Sequence, residues 1–237
     1  MRCVEISGSI ELVPVVEVGP WRFSERRPPP ELGPARLHPD AWHRHFLQCM
    51  EDAGFPGTQP IAAGSHFVAA SALPATLLFP RLLTDGLEGL PGFPDDTGRE
   101  DLDPVDVVGP LDGGYALMEG SRLLLSPQCC GDLADIAEWT GALRERPEHG
   151  ELWIGHPQLE VAFAGDRVTL RETWDYGPPP EYLLEVTLPV DELERAVAQA
   201  AKEREVFEAQ IEAELERLPS VADLAGLLAP LLAGRPH

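Results

Sequence analysis

Two short runs of alternating apolar and polar residues, Leu159–Ala164 and Arg167–Glu172, flank Gly165-Asp166 and predict a β-hairpin. A second hairpin is expected from 115–118 and 122–126, turned at Glu119-Gly120-Ser121. Further strands are predicted at 4–6, 10–18, 61–70, 152–155 and 182–188, with Pro14 marking an edge position or a bulge. Helical spacing predicts a helix over 39–53, with Pro39 in its first turn and Gly54 as its stop. Trp42, Phe46, Met50 and Ala53 form its apolar stripe. Another helix is expected over 133–144, where Leu133, Ile136, Ala137 and Leu143 share a side and Gly131-Asp132 supplies the cap. The longest runs from 191 to 218, opening on a capping-box-like Asp191 and Glu194. Its stripe is Leu193, Val197, Ala200, Phe207, Ile211, Leu215 and Leu218. Ser220 with Asp223 then caps a last short helix, closed by Pro230 and Gly234. The apolar run 73–83 is interrupted by Pro74 and Pro80, and its pattern selects neither helix nor strand.

Proline and glycine punctuate this pattern heavily, at 25 and 22 of 237 residues, so loops are many and elements short. Segment 21–39, which contains RRPPPELGP, reads as a polar loop. Segment 92–114 sets Asp95, Asp96, Glu100, Asp101, Asp103, Asp106 and Asp112 against Arg99 and reads as an exposed acidic loop. Neither an internal repeat nor a domain boundary stands out. The expectation is a single α+β domain over 1–237, an antiparallel sheet covered by the three helices, with a helical segment at 190–233.

Charge narrows the choice of partner. Forty Asp and Glu against 18 Lys and Arg give a formal −22. Such a surface repels nucleic acid and anionic membranes, whose binding needs basic patches, and attracts basic proteins. Lys202 is the only lysine, and with the Ala, Gly and Pro richness this points to a GC-rich, bacterial coding sequence. No apolar run has the length of a membrane span, and Glu5 and Glu11 interrupt the apolar residues where an export signal would lie. Cys3, Cys49, Cys129 and Cys130 lack the spacing of a disulfide framework, and the last two would close only a strained ring. A cytoplasmic chain with reduced thiols, binding neither membrane nor nucleic acid, is expected.

Candidate chemistry concentrates in SPQCCGDLADIAEWTGALRERPEHGELWIGHP, residues 126–157. Cys129 and Cys130 precede a helix N-terminus, whose dipole lowers a thiol pKa. His156 or His149 would act as base and Asp132 or Asp135 would orient it. That set of Cys129, Cys130, Asp132 and His156 defines one alternative, a cysteine- or metal-dependent hydrolase. The favoured alternative is structural: Cys130 buried at the strand-to-helix junction, Cys129 partly exposed, Asp132 an N-cap. Asp132, Asp135 and Glu138, three apart, predict a solvated acidic ridge able to receive a partner's arginines. Asp101, Asp103 and Asp106 of the acidic loop are further candidate contacts. Trp153 and Ile154 read as a buried strand ending at Gly155-His156-Pro157, where His156 ties the turn. Elsewhere His45 and Cys49 share a helix face at a spacing compatible with one metal, but no second pair, CxxC or HExxH accompanies them. No metal and no cofactor are expected, with His43 and His45 in solvent and Cys49 in the core. Asp112-Gly113-Gly114-Tyr115 reads as a plain turn rather than a phosphate loop.

CCGDL at 129–133, Trp139, and LWIGHP at 152–157 with the V-x-F…G-D-x-V hairpin after it resemble an uncharacterised family of bacterial cytosolic proteins, over residues 126–172. Proteins of that kind are similar in turn to the immunity and Smi1/Knr4-like proteins of bacterial toxin systems. The resemblance carries over no catalytic residue. The preferred expectation is a non-enzymatic acidic binding protein, an immunity protein that neutralises a cationic toxin or another basic protein. Its alternatives are the hydrolase and an adaptor or structural protein that uses the long helix.

Overall fold

The computed structural model of the chain describes residues 2–6, 8–26, 35–87, 90, 104–175 and 183–235. Along it run β1 (Arg2–Glu5), β2 (Glu11–Glu17), α1 (Pro39–Asp52), β3 (Phe67–Ala69), α2 (Phe79–Gly86), the single turn α3 (Pro104–Val107), β4 (Gly113–Glu119) and β5 (Arg122–Leu125). After these come α4 (Ile136–Glu145), β6 (Gly150–Leu152), β7 (Leu159–Ala164), β8 (Arg167–Glu172), β9 (Leu184–Pro189), α5 (Val190–Leu215) and α6 (Ala225–Leu232). The class is α+β, rich in antiparallel pairs, with α5 as the long C-terminal helix. Contacts divide the chain into two units, Met1–Pro14 with Asp112–Glu203 and Val15–Leu111 with Arg204–His237. Among the described residues no helix is long and apolar enough to cross a membrane.

In the first unit β7 and β8 pair from Leu159↔Glu172 to Ala164↔Arg167, the hairpin that the alternation requires. The sheet order is β1-β9-β8-β7-β6, antiparallel except that β1 pairs with β9 in parallel. Leu159, Val161, Phe163, Val168, Leu170, Val186 and Leu188 are buried on one face. Period-two alternation then puts Glu160, Ala162, Thr169, Arg171, Glu185 and Thr187 on the other. There Arg171 donates from Nε to Glu185 at 2.7 Å and from Nη1 to Glu160 at 2.9 Å. β4 and β5 form the second hairpin, with a bulge between Leu117 and Met118. α4 buries Ile136 and Trp139, while Ala137 is exposed and Leu143 half-buried. The acidic-loop reading stops short of its expected end: Val108 and Leu111 are buried, and Gly113 and Gly114 open β4 rather than making a turn. Glycine is needed at 114, where φ is +128° and an added Cβ would lie 3.1 Å from Pro127.

In the second unit β2 pairs with β3 from Val15↔Ala69 to Glu17↔Phe67. The strand expected over 61–70 shrinks to those three residues, because Gly64, at φ +81°, turns the chain just before them. α1 starts at Pro39 as expected and buries His45, Phe46, Cys49 and Met50, a face rotated from the predicted stripe, with Trp42 half-buried. The unassigned run 73–83 is helical at both ends, with an extended Thr76 between them. A 3-10 turn, Ala70–Ala75, contains Pro74, and Pro80 occupies the first turn of α2, where a missing N–H costs nothing. Phe79 meets Phe207 of α5 at 5.7 Å between ring centres. Ser220 and Asp223 do not cap the last helix; a 3-10 turn with Val221 at its N-cap precedes it, and Pro230 lies inside α6.

Candidate functional site

The CCG and WIGHP strings come together through backbone. Beyond β5, residues 128–131 turn back, with the Gly131 N–H donating to Gln128 O, and lie along the segment that follows β6. The Gln128 N–H donates to Ile154 O and the His156 N–H to Cys129 O, each at 2.8 Å. Gly155, between them, has φ +104°, and an added Cβ would sit 2.5 Å from both Gln128 O and Cys129 O. At Gly131 an added Cβ would stand 2.7 Å from Ile154 O and 2.9 Å from Gly113 O. Three stretches of main chain therefore meet with no room for a side chain, and this contact accounts for the glycines of both strings.

Asp132 closes the turn. It is extended, and its Oδ1 accepts from the Ala134 N–H at 2.6 Å, while Asp135 Oδ2 accepts from the Asp132 N–H at 3.1 Å. This reciprocal capping box opens a 3-10 turn, Leu133–Asp135, ahead of α4. The solvated ridge is thereby corrected. Asp132 is outside the helix and half-buried, Asp135 is only 6% exposed, and Glu138 alone of the three faces solvent. Burial pushes the Asp135 carboxyl up to about 7, and the negative charges of Asp132 and Glu138 add to the rise against the opposing hydrogen bond. Burial also raises Asp132.

These shifts have a sign. The folded chain holds a proton on Asp135 that the unfolded chain, with a carboxyl near 3.9, has already released. The contribution is thus fully present below about pH 4 and is lost as pH rises towards 7. We expect Asp135→Asn to remove this slope: subtracting its urea-derived stability from the parent's should leave a fall of about 3 kcal/mol between about pH 4 and 7. A flat difference curve would show that Asp135 titrates normally.

The thiol and imidazole of the hydrolase alternative are neighbours, but not as a dyad. The Cys129 Sγ–H donates to the His156 carbonyl oxygen at 3.0 Å, not to the ring. His156 Nε2 lies 3.0 Å from Asp175 Oδ2, and both side chains are about half exposed. Asp132, committed to the helix cap, does not orient this histidine; Asp175, which the sequence reading missed, does. Its only sequence signal is an acid following Trp174 beyond β8. Cys130 is exposed, in the left-handed region at φ +64°, rather than buried at the junction. Trp153 is 36% exposed rather than buried, whereas Ile154 beside it is fully packed.

His45 and Cys49 share a face of α1 as predicted, with Sγ 3.6 Å from Nε2, but both are buried, so His45 is not in solvent. His43 is half-buried. Burial raises the Cys49 thiol, and burial followed by the Arg26 charge lowers His45, so the pair sits as neutral thiol and imidazole. Arg26 is tied to Asp52 at 2.7 Å. Among the described residues no three His, Cys, Asp or Glu side chains gather to hold a metal. Asp101 and Asp103 lie outside the described residues, as does the side chain of Asp106 in α3.

No protein-family model, curated protein or solved structure matches the chain.

Proposed function

We propose that this chain is a non-enzymatic acidic binding protein, of the kind that neutralises a cationic toxin or another basic protein, as the resemblance to immunity proteins suggests. The observation that carries the reading is the formal charge of −22. Carboxylates such as Glu138, Glu151 and Glu160, together with Asp191, Glu194, Glu205 and Glu212 along α5, are exposed. Exposed charge of one sign accelerates encounter with the opposite sign and adds little to folding stability. The test is a pull-down from the source cell at low salt, followed by stopped-flow association with the captured protein. A basic partner is expected, with an on-rate falling at least tenfold between about 20 and 300 mM salt. A neutral or acidic partner, or an on-rate indifferent to salt, would sink the reading.

One observation favours a second reading, a cysteine hydrolase. Cys129 lies against the His156 main chain, and Asp175 holds the ring through Nε2, which leaves Nδ1 to act as base once the thiol turns from the carbonyl oxygen to the ring. In that case Cys129→Ser would abolish ester hydrolysis while leaving stability unchanged; loss of neither would remove it.

A further inference from the structure

The polar face of the five-stranded sheet carries a pocket of about 140 Å³, lined by His149, Gly150, Glu160, Ala162, Thr169 and Arg171. It exists because Ala162 and Thr169, paired across β7 and β8, are short, while Glu160 and Arg171 rise beside them in the neighbouring row. A volume of 140 Å³ is well below the roughly 300–1,000 Å³ of small-molecule sites. It suits one side chain of a partner, the scale on which binding hot spots are built.

The charge around it selects which side chain. The β6–β7 register sets Glu151 directly opposite Glu160. Facing residues in an antiparallel pair stand only about 5 Å apart, and like charges so placed repel. Arg171, which offsets them, is divided between Glu160 and Glu185. The row Glu151–Glu160–Arg171–Glu185 thus holds three carboxylates against one guanidinium, beside a hollow with a threonine hydroxyl in its lining. A cation placed there relieves the Glu151–Glu160 repulsion; an anion increases it.

We propose that this hollow is the anchor for an arginine or lysine side chain of the basic partner, which rests on the binding-protein reading above. The ammonium or guanidinium head meets Glu160 and Glu151, and the aliphatic stem lies over Ala162. The contact differs in kind from the diffuse acidic surface: the surface sets how fast a partner arrives, the anchor how long it stays.

Hexa-arginine amide serves as the probe, with affinity measured by calorimetry in about 20 mM salt. Ala162→Leu fills the hollow without altering charge, and is expected to weaken binding about tenfold. Glu151→Gln with Glu160→Gln should do at least as much, while Glu138→Gln, which removes a charge outside the pocket, should change affinity less than twofold. Urea midpoints and circular dichroism check that each variant is folded, and Ala162→Val replaces Ala162→Leu if the larger side chain disturbs the sheet. If the peptide binds the parent but ignores both pocket variants, the anchor is wrong and the binding-protein reading stands. If the parent does not bind hexa-arginine at all, both fall.

Discussion

Gly155→Ala is expected to unfold the first unit or to cost it more than about 4 kcal/mol, at the extreme of single substitutions. Two independent causes add. The φ of +104° at Gly155 is a conformation that side chains rarely adopt, and the new Cβ would lie 2.5 Å from two carbonyl oxygens and 2.7 Å from the Gln128 carbonyl carbon. These are backbone atoms, held by the hydrogen bonds from the Gln128 N–H to Ile154 O and from the His156 N–H to Cys129 O, so no flexible group can yield. Gly165→Ala is the control. Its φ is +61°, with nothing within 4 Å of the added atom, and it should cost only about 1 kcal/mol. Urea titrations of both variants give the comparison. Similar losses at the two positions would mean that the close approach of the CCG and WIGHP segments is not what Gly155 serves.

Trp139→Ala should cost about 3–5 kcal/mol and Trp153→Ala under about 1.5, although both tryptophans belong to the same motif-rich segment. Trp139 is 1% exposed on the buried side of α4, so its removal leaves a large cavity in a packed core. Trp153 is 36% exposed, and solvent or a small shift can occupy what it vacates. Denaturant midpoints at constant slope decide the matter. A Trp153→Ala loss as large as that of Trp139→Ala would show that the ring is covered in solution.

What the sequence disclosed and what it withheld follow one physical division. The β7–β8 hairpin, α1 from Pro39 and the long α5 were legible, because each is written in local signals: alternation around Gly165-Asp166, a proline start, a sustained apolar stripe. The α2 helix was hidden by Pro80, which looks like a breaker but is compatible with a first helical turn. Asp135 was misplaced because three-residue spacing was read as one α-helical face, while the chain there is an extended Asp132 followed by a 3-10 turn. Trp153 and Cys130 were given the wrong exposure for a different reason. Alternation says which residues share a face, not which face is covered, and the cover depends on chain far away in sequence. The same holds for the candidate site. Cys129 and His156 were both singled out, but their bridge through main chain, and the Asp175 that takes the histidine ring, are long-range facts with no local trace.

The parallel pairing of β1 with β9 joins Arg2 to Leu184 and Glu5 to Thr187, across most of the chain. Closing a loop of that length adds little to the equilibrium cost, since the entropy grows only with the logarithm of loop size, but it weighs on the order of events. At roughly 5–20 residues per second, a ribosome takes on the order of ten to forty seconds to pass from the first strand to the one it must lie beside. During that interval the backbone donors and acceptors of β1 wait for their sheet neighbour. The strand that begins the described sequence is therefore among the last to find its place, and its docking marks completion of the five-stranded sheet during synthesis.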